Sequence, residues 1–199
     1  MKLKNSENNA KTLNRKGKLF VISGPSGVGK GTICDALLIK RPSLSLSISV
    51  TTRKRRPEEL EDIDYFFINE QEFRQMIEKS QLLEYDRHFD NYYGTPSEFV
   101  YDKLIEGEDV LCEVDISGAL QIKDKYPLAV LFFVQAPSIE ELRKRLVKRS
   151  SETEEQIQKR LERVEFEMRY RDKYDYVIIN DDVDRAVGEI LDIMKEITK

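Results

Sequence analysis

The chain has 199 residues, 40% of them apolar, and carries 33 Lys and Arg against 37 Asp and Glu, a net charge of −4. That length provides one α/β core with room for inserted subdomains. The acidic balance argues against a general nucleic-acid binder, so phosphate recognition has to come from local clusters of Arg and Lys. No run nears the roughly 18 apolar residues that a membrane-spanning helix needs.

Met1 to Lys16 is polar and basic. It has no apolar stretch of the signal-peptide kind, and Glu7 with four Asn residues dilutes any transit-peptide character. Residues 1–16 therefore read as a disordered tail. The apolar run Leu19-Phe20-Val21-Ile22 follows as a buried strand. After it comes the loop Gly24-Pro25-Ser26-Gly27-Val28-Gly29-Lys30-Gly31-Thr32, and then a helical pattern over Ile33–Leu38. Strand, glycine-rich loop and helix in that order are what a phosphate-binding loop requires. The glycines let N–H groups turn toward an anion, the helix N-terminus adds its positive end, and Lys30 reaches the outer phosphates. The segment predicts a nucleoside triphosphate site. Gly31 stands where Ser or Thr usually offers a hydroxyl to Mg²⁺, which leaves Thr32 as the candidate for that metal, carried in with the nucleotide.

Leu44–Val50 reads as the next strand, followed by a basic loop and the short run Tyr65-Phe66-Phe67-Ile68. Asn69 with Glu72 has the form of a helix N-cap pair, and Phe73, Met76 and Ile77 make an i, i+3, i+4 face. Leu82–Phe89 is a candidate strand. Tyr93-Gly94-Thr95-Pro96 reads as a turn into a helix near Ser97–Glu106. Val110–Val114 reads as a second core strand, and Leu128–Val134 is a nearly continuous apolar run, as for a strand buried on both faces of a parallel sheet. Ser138–Arg149 is a basic helix. Ile157, Leu161, Val164 and Met168 line a longer one. Tyr176–Ile179 is the last strand, and Val183, Val187, Ile190, Leu191 and Met194 line the closing helix. The alternation predicts a doubly wound parallel α/β sheet. Cys34 and Cys112 lack metal-ligand spacing and read as reduced, buried fillers, consistent with a cytoplasmic protein. The stretch from about Ser49 to Ser97 is short-stranded and rich in Arg, Tyr and acid, and has the look of an inserted specificity segment.

Within it, Thr51-Thr52-Arg53-Lys54-Arg55-Arg56 concentrates positive charge beside two hydroxyls, with Tyr65 and Tyr92-Tyr93 further on. Guanidinium forks and tyrosine hydroxyls suit a phosphate monoester. Two phosphate-binding patches in one chain suggest transfer of a phosphoryl group between two nucleotides.

With these motifs the chain resembles the guanylate kinases, which move a phosphoryl group from ATP to GMP. The likeness runs from about Gly17 to the C-terminal helix. It rests on Gly24–Thr32, Thr51-Thr52-Arg53, Tyr65-Phe66-Phe67, Asn91–Thr95, Asp115, Lys159-Arg160-Leu161 and Asn180-Asp181-Asp182. It implies a core at 17–48 and 98–199, a GMP-binding insertion at 49–97, and a small lid near 149–160. By this likeness the ATP site comprises Gly24 to Thr32 with Asn180. Arg53, Arg56, Tyr65 and Tyr93 hold the GMP phosphate, and Ser49, Glu84, Thr95 and Asp115 address the guanine. Arg149 and Arg160 flank the lid loop and close on the ATP phosphates. Lys30, Arg53, Arg149 and Arg160 are the charges that act on the transferring group, with Mg²⁺ accompanying ATP; GMP or dGMP is the acceptor, and no nucleic acid or membrane takes part.

The chemistry behind Glu84 stands beside the likeness. Guanine offers adjacent N–H donors at N1 and its 2-amino group, which one carboxylate accepts; adenine presents a lone pair at N1. Taken alone, Glu84 reads as a strand carboxylate, and His88 as a strand-end residue. The loop before Tyr65 departs from the family in having Glu58 and Asp62 where glycines are usual. Glu113-Val114-Asp115 replaces an Asp-x-Asp, and Ser117 replaces a Gln. Two other readings remain open: an adenylate-kinase-like enzyme for another monophosphate, and a guanylate-kinase-like module that only binds protein partners.

Overall fold

A computed structural model describes residues 16–88, 90–149 and 154–199, without the side chains of Lys148, Arg149 and Gln156. The tail before Lys16, Phe89, the Arg149 side chain and most of the lid loop after it lie outside the described residues.

Strand and helix alternate along the chain. The first unit is β1 (Leu19–Ser23), α1 (Lys30–Lys40) and β2 (Leu44–Leu46). A second group follows: β3 (Val50–Thr51), β4 (Phe66–Phe67), α2 (Glu70–Glu78), β5 (Leu82–His88) and β6 (Asn91–Pro96). The chain closes with α3 (Ser97–Ile105), β7 (Asp109–Glu113), α4 (Ile116–Lys125), β8 (Val130–Gln135), α5 (Ile139–Arg149), α6 (Glu154–Met168), β9 (Tyr176–Ile179) and α7 (Val183–Ile197).

Five strands form a parallel sheet in the order β2-β7-β1-β8-β9. The pleat explains the continuous apolar runs. Phe20 and Ile22 of β1 point to one face with Phe132 and Val134, beneath Leu37, Ile157 and Val187. Leu19 and Val21 point to the other with Cys112, Leu131 and Phe133, beneath Val100, Ile116 and Ile122. Both faces are covered by helices, so alternate residues are equally buried. This is the doubly wound α/β sheet that the sequence predicts. Cys34 and Cys112 are buried free thiols within it.

A second, four-stranded sheet has the order β4-β3-β6-β5 and its own small core of Val50, Phe73 and Leu82. The Asn69–Glu72 capping box is present at the start of α2, and Phe73 from that helix is fully buried.

Two sequence expectations need correction, and one helix was not foreseen. Leu44–Val50 is not one strand: Leu46 pairs with Leu111 in the parallel sheet, whereas Val50 pairs with Gly94 in the second sheet. Tyr93–Pro96 is not a turn but part of β6, paired antiparallel with β5. Gly94 serves close approach there, since a Cβ would meet Glu84 O at 3.0 Å and the Phe73 ring at 3.1 Å. Finally, α4 had no counterpart in the sequence reading. Ser117 and Gly118 weaken its helical signal, but Asp115 caps it by accepting from Gly118 N at 2.8 Å.

Candidate active site

The loop between β1 and α1 needs its glycines. Gly24, Gly27 and Gly29 have φ of 143°, 85° and 94°, values that side-chain-bearing residues rarely adopt. A Cβ on Gly24 would lie 2.1 Å from Val134 O, and one on Gly29 would lie 2.6 Å from Asn180 Nδ2. Helix α1 starts without a side-chain cap and without an acid in its first turn. Its leading N–H groups and dipole are therefore left for an anion.

Lys30 curls over the loop, its Nζ donating to Gly24 O at 2.7 Å and Pro25 O at 3.2 Å. Burial lowers its pKa, and Glu113 is the main charge opposing that shift. Asn180 is buried beneath the loop and donates from Nδ2 to Val28 O at 2.8 Å. Arg160 of α6 reaches Ser26 Oγ at 2.7 Å, which brings α6 against the loop. Arg145, which the sequence did not single out, donates to Asn180 O at 2.9 Å. Thr32 is exposed on α1. The acid nearest the post-lysine position is Glu113, whose Oε2 is 3.6 Å from where a Gly31 Cβ would be.

A cleft of about 470 Å³ opens between the two sheets and runs from this loop to the second sheet. Ser26, Lys30, Ser49, Tyr65, Glu84, Tyr93 and Asp115 all line it, so one cavity gathers candidate residues from both halves of the sequence. Arg53 stands beside it, its guanidinium 5.4 Å from the Tyr65 ring centre, while the Tyr65 and Tyr93 rings are 6.1 Å apart. Arg56 is exposed and is not among the residues lining the cleft.

Arg53 is held by Glu59, a residue the sequence reading passed over. Two hydrogen bonds of 2.9 and 2.7 Å join them, and Glu59 Oε2 also accepts from Arg56 N at 2.8 Å. The Arg53 bonds, then the Arg56 N–H, lower the Glu59 pKa to about 2. Asp62, one of the acids replacing a usual glycine, has φ 63°, so the backbone there keeps a glycine-like shape despite the side chain. Glu58 has no such conformation among the described residues.

Glu84 is only 5% exposed, and Thr95 Oγ1 donates to its Oε1 at 2.7 Å. Burial pushes its pKa up to about 7, against the lowering effect of the Thr95 bond. Gly118 packs against the other oxygen: a Cβ there would sit 2.6 Å from Oε2. Asp115 Oδ2 meets His88 Nε2 at 2.6 Å. Burial would raise the Asp115 pKa, but the His88 and Gly118 hydrogen bonds outweigh it and the net shift is downward. The same bond to Asp115 raises His88. The sequence signal for this contact was weak: Asp86 and His88 two apart on a strand, hence on one face, with their partner 27 residues away.

Comparison with known proteins decides what this cleft belongs to. The family model described as guanylate kinase matches residues 16–197. The chain belongs to the guanylate kinase family. It is 53% identical over 179 residues to the guanylate kinase of Caldanaerobacter subterraneus subsp. tengcongensis, covering 90% of this chain and 87% of that one. It is 45% identical over 183 residues to that of Oceanobacillus iheyensis, covering 92% and 89%. The crystal structure of guanylate kinase from Anaplasma phagocytophilum superimposes with a TM-score of 0.77 at 31% identity, covering 92% of this chain and 87% of that one. As a guanylate kinase the chain is a phosphotransferase acting on a nucleoside monophosphate with ATP. Neither the adenylate-kinase-like reading nor the binding-only module is favoured by these matches.

Proposed function

We propose that the chain transfers the γ-phosphoryl of ATP to the phosphate of GMP or dGMP, giving ADP and GDP or dGDP, with each residue acting as follows. The loop Gly24–Gly29 and the open start of α1 cradle the ATP phosphates through backbone N–H groups. Lys30 leaves the carbonyls of Gly24 and Pro25 to neutralise the outer phosphates. Arg160, already at Ser26, and Arg149 spread positive charge over the transferring group. Such a reaction needs positioning and electrostatics more than covalent help.

On the acceptor side, Arg53 gives up Glu59 for the stronger charge of the GMP phosphate, joined by Arg56, Tyr65 and Tyr93. Glu84 accepts the guanine N1–H and 2-amino donors, steadied by Thr95, with Ser49 and Asp115 at the base edge. No general base is required, because the attacking phosphate oxygen is already anionic. Mg²⁺ travelling with ATP supplies charge neutralisation across the phosphates. Glu113, which lines the cleft with Lys30 and lies beside the hydroxyl-free Gly31, would be the carboxylate to hold it, whereas exposed Thr32 is the poorer candidate.

The observation that carries this reading is a carboxylate buried in the same cleft as the phosphate loop. Among the described residues no helix is long and apolar enough to cross a membrane, and we place the activity in the cytoplasm without nucleic acid or membrane. A coupled assay of ADP release across GMP, dGMP, AMP, UMP and CMP tests the proposal. Turnover with GMP and dGMP well above the other three is expected, and comparable turnover with AMP would overturn it.

A further inference from the structure

The wall of the cleft carries a cluster of three side chains, of which the proposed function uses only Asp115. Asp86 and His88 are two apart on β5, so the pleat sends both side chains to one face. Asp115 approaches from the end of β7. His88 Nε2 lies 2.6 Å from Asp115 Oδ2 and 3.8 Å from Asp86 Oδ2, and the three donor atoms fall within 4.8 Å of one another. All three residues border the cleft. Their side chains are 26–35% exposed, sheltered enough to be ordered and open enough to be reached. Asp115 is oriented from behind, since its Oδ1 accepts the Gly118 N–H at 2.8 Å and leaves Oδ2 facing the other two donors.

We propose that Asp86, His88 and Asp115 form a binding site for a divalent transition-metal ion of the Zn²⁺ class. One imidazole nitrogen and two carboxylate oxygens are a donor set for such ions. The cleft leaves the remaining coordination positions to water or ligand. Two carboxylates balance the ion's charge. Mg²⁺ is disfavoured, because it takes oxygen ligands in near-ideal octahedra and dehydrates reluctantly. Metal takes the lone pair of Nε2 in the neutral ring, whose one proton then sits on Nδ1; a ring that was cationic releases the Nε2 proton. Nδ1–H does not accept from Arg163, 3.4 Å away, and Arg163 keeps its 2.8 Å bond to Glu167. The site adjoins Glu84, so on the functional reading above a bound ion excludes the guanine base and opposes GMP.

His88 is the chain's single histidine and both cysteines are buried, which makes the test clean. Zn²⁺ is titrated calorimetrically into the nucleotide-free protein, the wild type and the His88→Ala, His88→Gln and Asp86→Asn variants, with Mg²⁺ as the control ion. Thermal unfolding identifies any variant that has not folded. The expected result is one Zn²⁺ per chain, with proton release read from the buffer dependence of the heat, and affinity at least about tenfold weaker in each folded variant. Failure to bind Zn²⁺ at about 100 µM, a range where weak ligand sets still register, would overturn the site. So would binding unchanged in both His88 variants. Added GMP is expected to weaken Zn²⁺ binding. His88-dependent binding indifferent to GMP upholds the metal site and refutes only the placement of guanine beside it.

Discussion

Titrating Glu84 separates base recognition from mere burial. Burial holds its pKa near 7, and on the proposed reading guanine needs the ionised form to accept two donors. Binding GMP would then require the proton to leave. With a pKa of about 7, roughly one molecule in eleven is ready at pH 6 and about ten in eleven at pH 8, so the dissociation constant for GMP should tighten about tenfold across that range. The GMP phosphate also titrates, near about 6 by analogy with other phosphate monoesters. The Glu84→Gln variant controls for this, because the ratio of the two proteins' affinities cancels the phosphate contribution. Calorimetric titration of GMP at half-unit steps from pH 6 to 8.5 measures it. A linked stability effect has a definite sign. A carboxyl raised in the folded state contributes stability in full below about pH 4.5, and this is lost as the pH rises through about 7. Glu84→Gln should therefore stabilise the nucleotide-free protein at pH 8, by at most roughly 3 kcal/mol, while weakening GMP and leaving ATP little changed. A wild-type to variant affinity ratio that stays flat from pH 6 to 8 would refute the reasoning.

Other outcomes follow from the same geometry. Lys30→Ala should keep its melting temperature within a few degrees while turnover falls by about two decades or more, the scale of a lost electrostatic group; near-normal steady-state rates would remove Lys30 from the phosphate site. Gly24→Ala should cost at least about 2 kcal/mol in chemical denaturation, because a Cβ would strike the Val134 carbonyl from a positive-φ backbone. Asn180→Ala should cost about 1–3 kcal/mol, since it strips the buried Val28 carbonyl of its donor, and should weaken ATP more than GMP, which initial-rate kinetics with each substrate varied will show. An inert ATP–GMP bisubstrate analogue should compact the protein in small-angle scattering. It should also slow amide exchange over 49–97 and 149–160 while leaving Val110–Val134 unchanged; unaltered dimensions and exchange would defeat that closure.

The parallel core was legible because strands buried on both faces have unbroken apolar runs, as β1 and β8 do. The phosphate loop was legible because its function depends on backbone shape, which glycine spacing records. What escaped depended on neighbours distant in sequence. Gly94 looked like a turn residue, yet its role is to let Phe73 and β5 approach. Helix α4 was hidden because Gly118 breaks its pattern, and that glycine exists to make room for Glu84. Glu59 was one acid among several until Arg53 selected it, and His88 acquired meaning only from Asp115.

Among the described residues the chain passes between its two sheets at two places. Going out, Ser47, Ile48 and Ser49 separate β2 from β3; coming back, β6 ends at Pro96 and α3 begins at Ser97. The segment between these joints has its own small core of Val50, Phe73 and Leu82. On the proposed reading, substitutions within it would alter acceptor preference while the phosphate loop and parallel sheet stay as they are. That freedom is limited where α4 meets β5: Gly118 packs against Glu84, Gln121 bonds the Tyr85 backbone, and Leu83 sits in the main core.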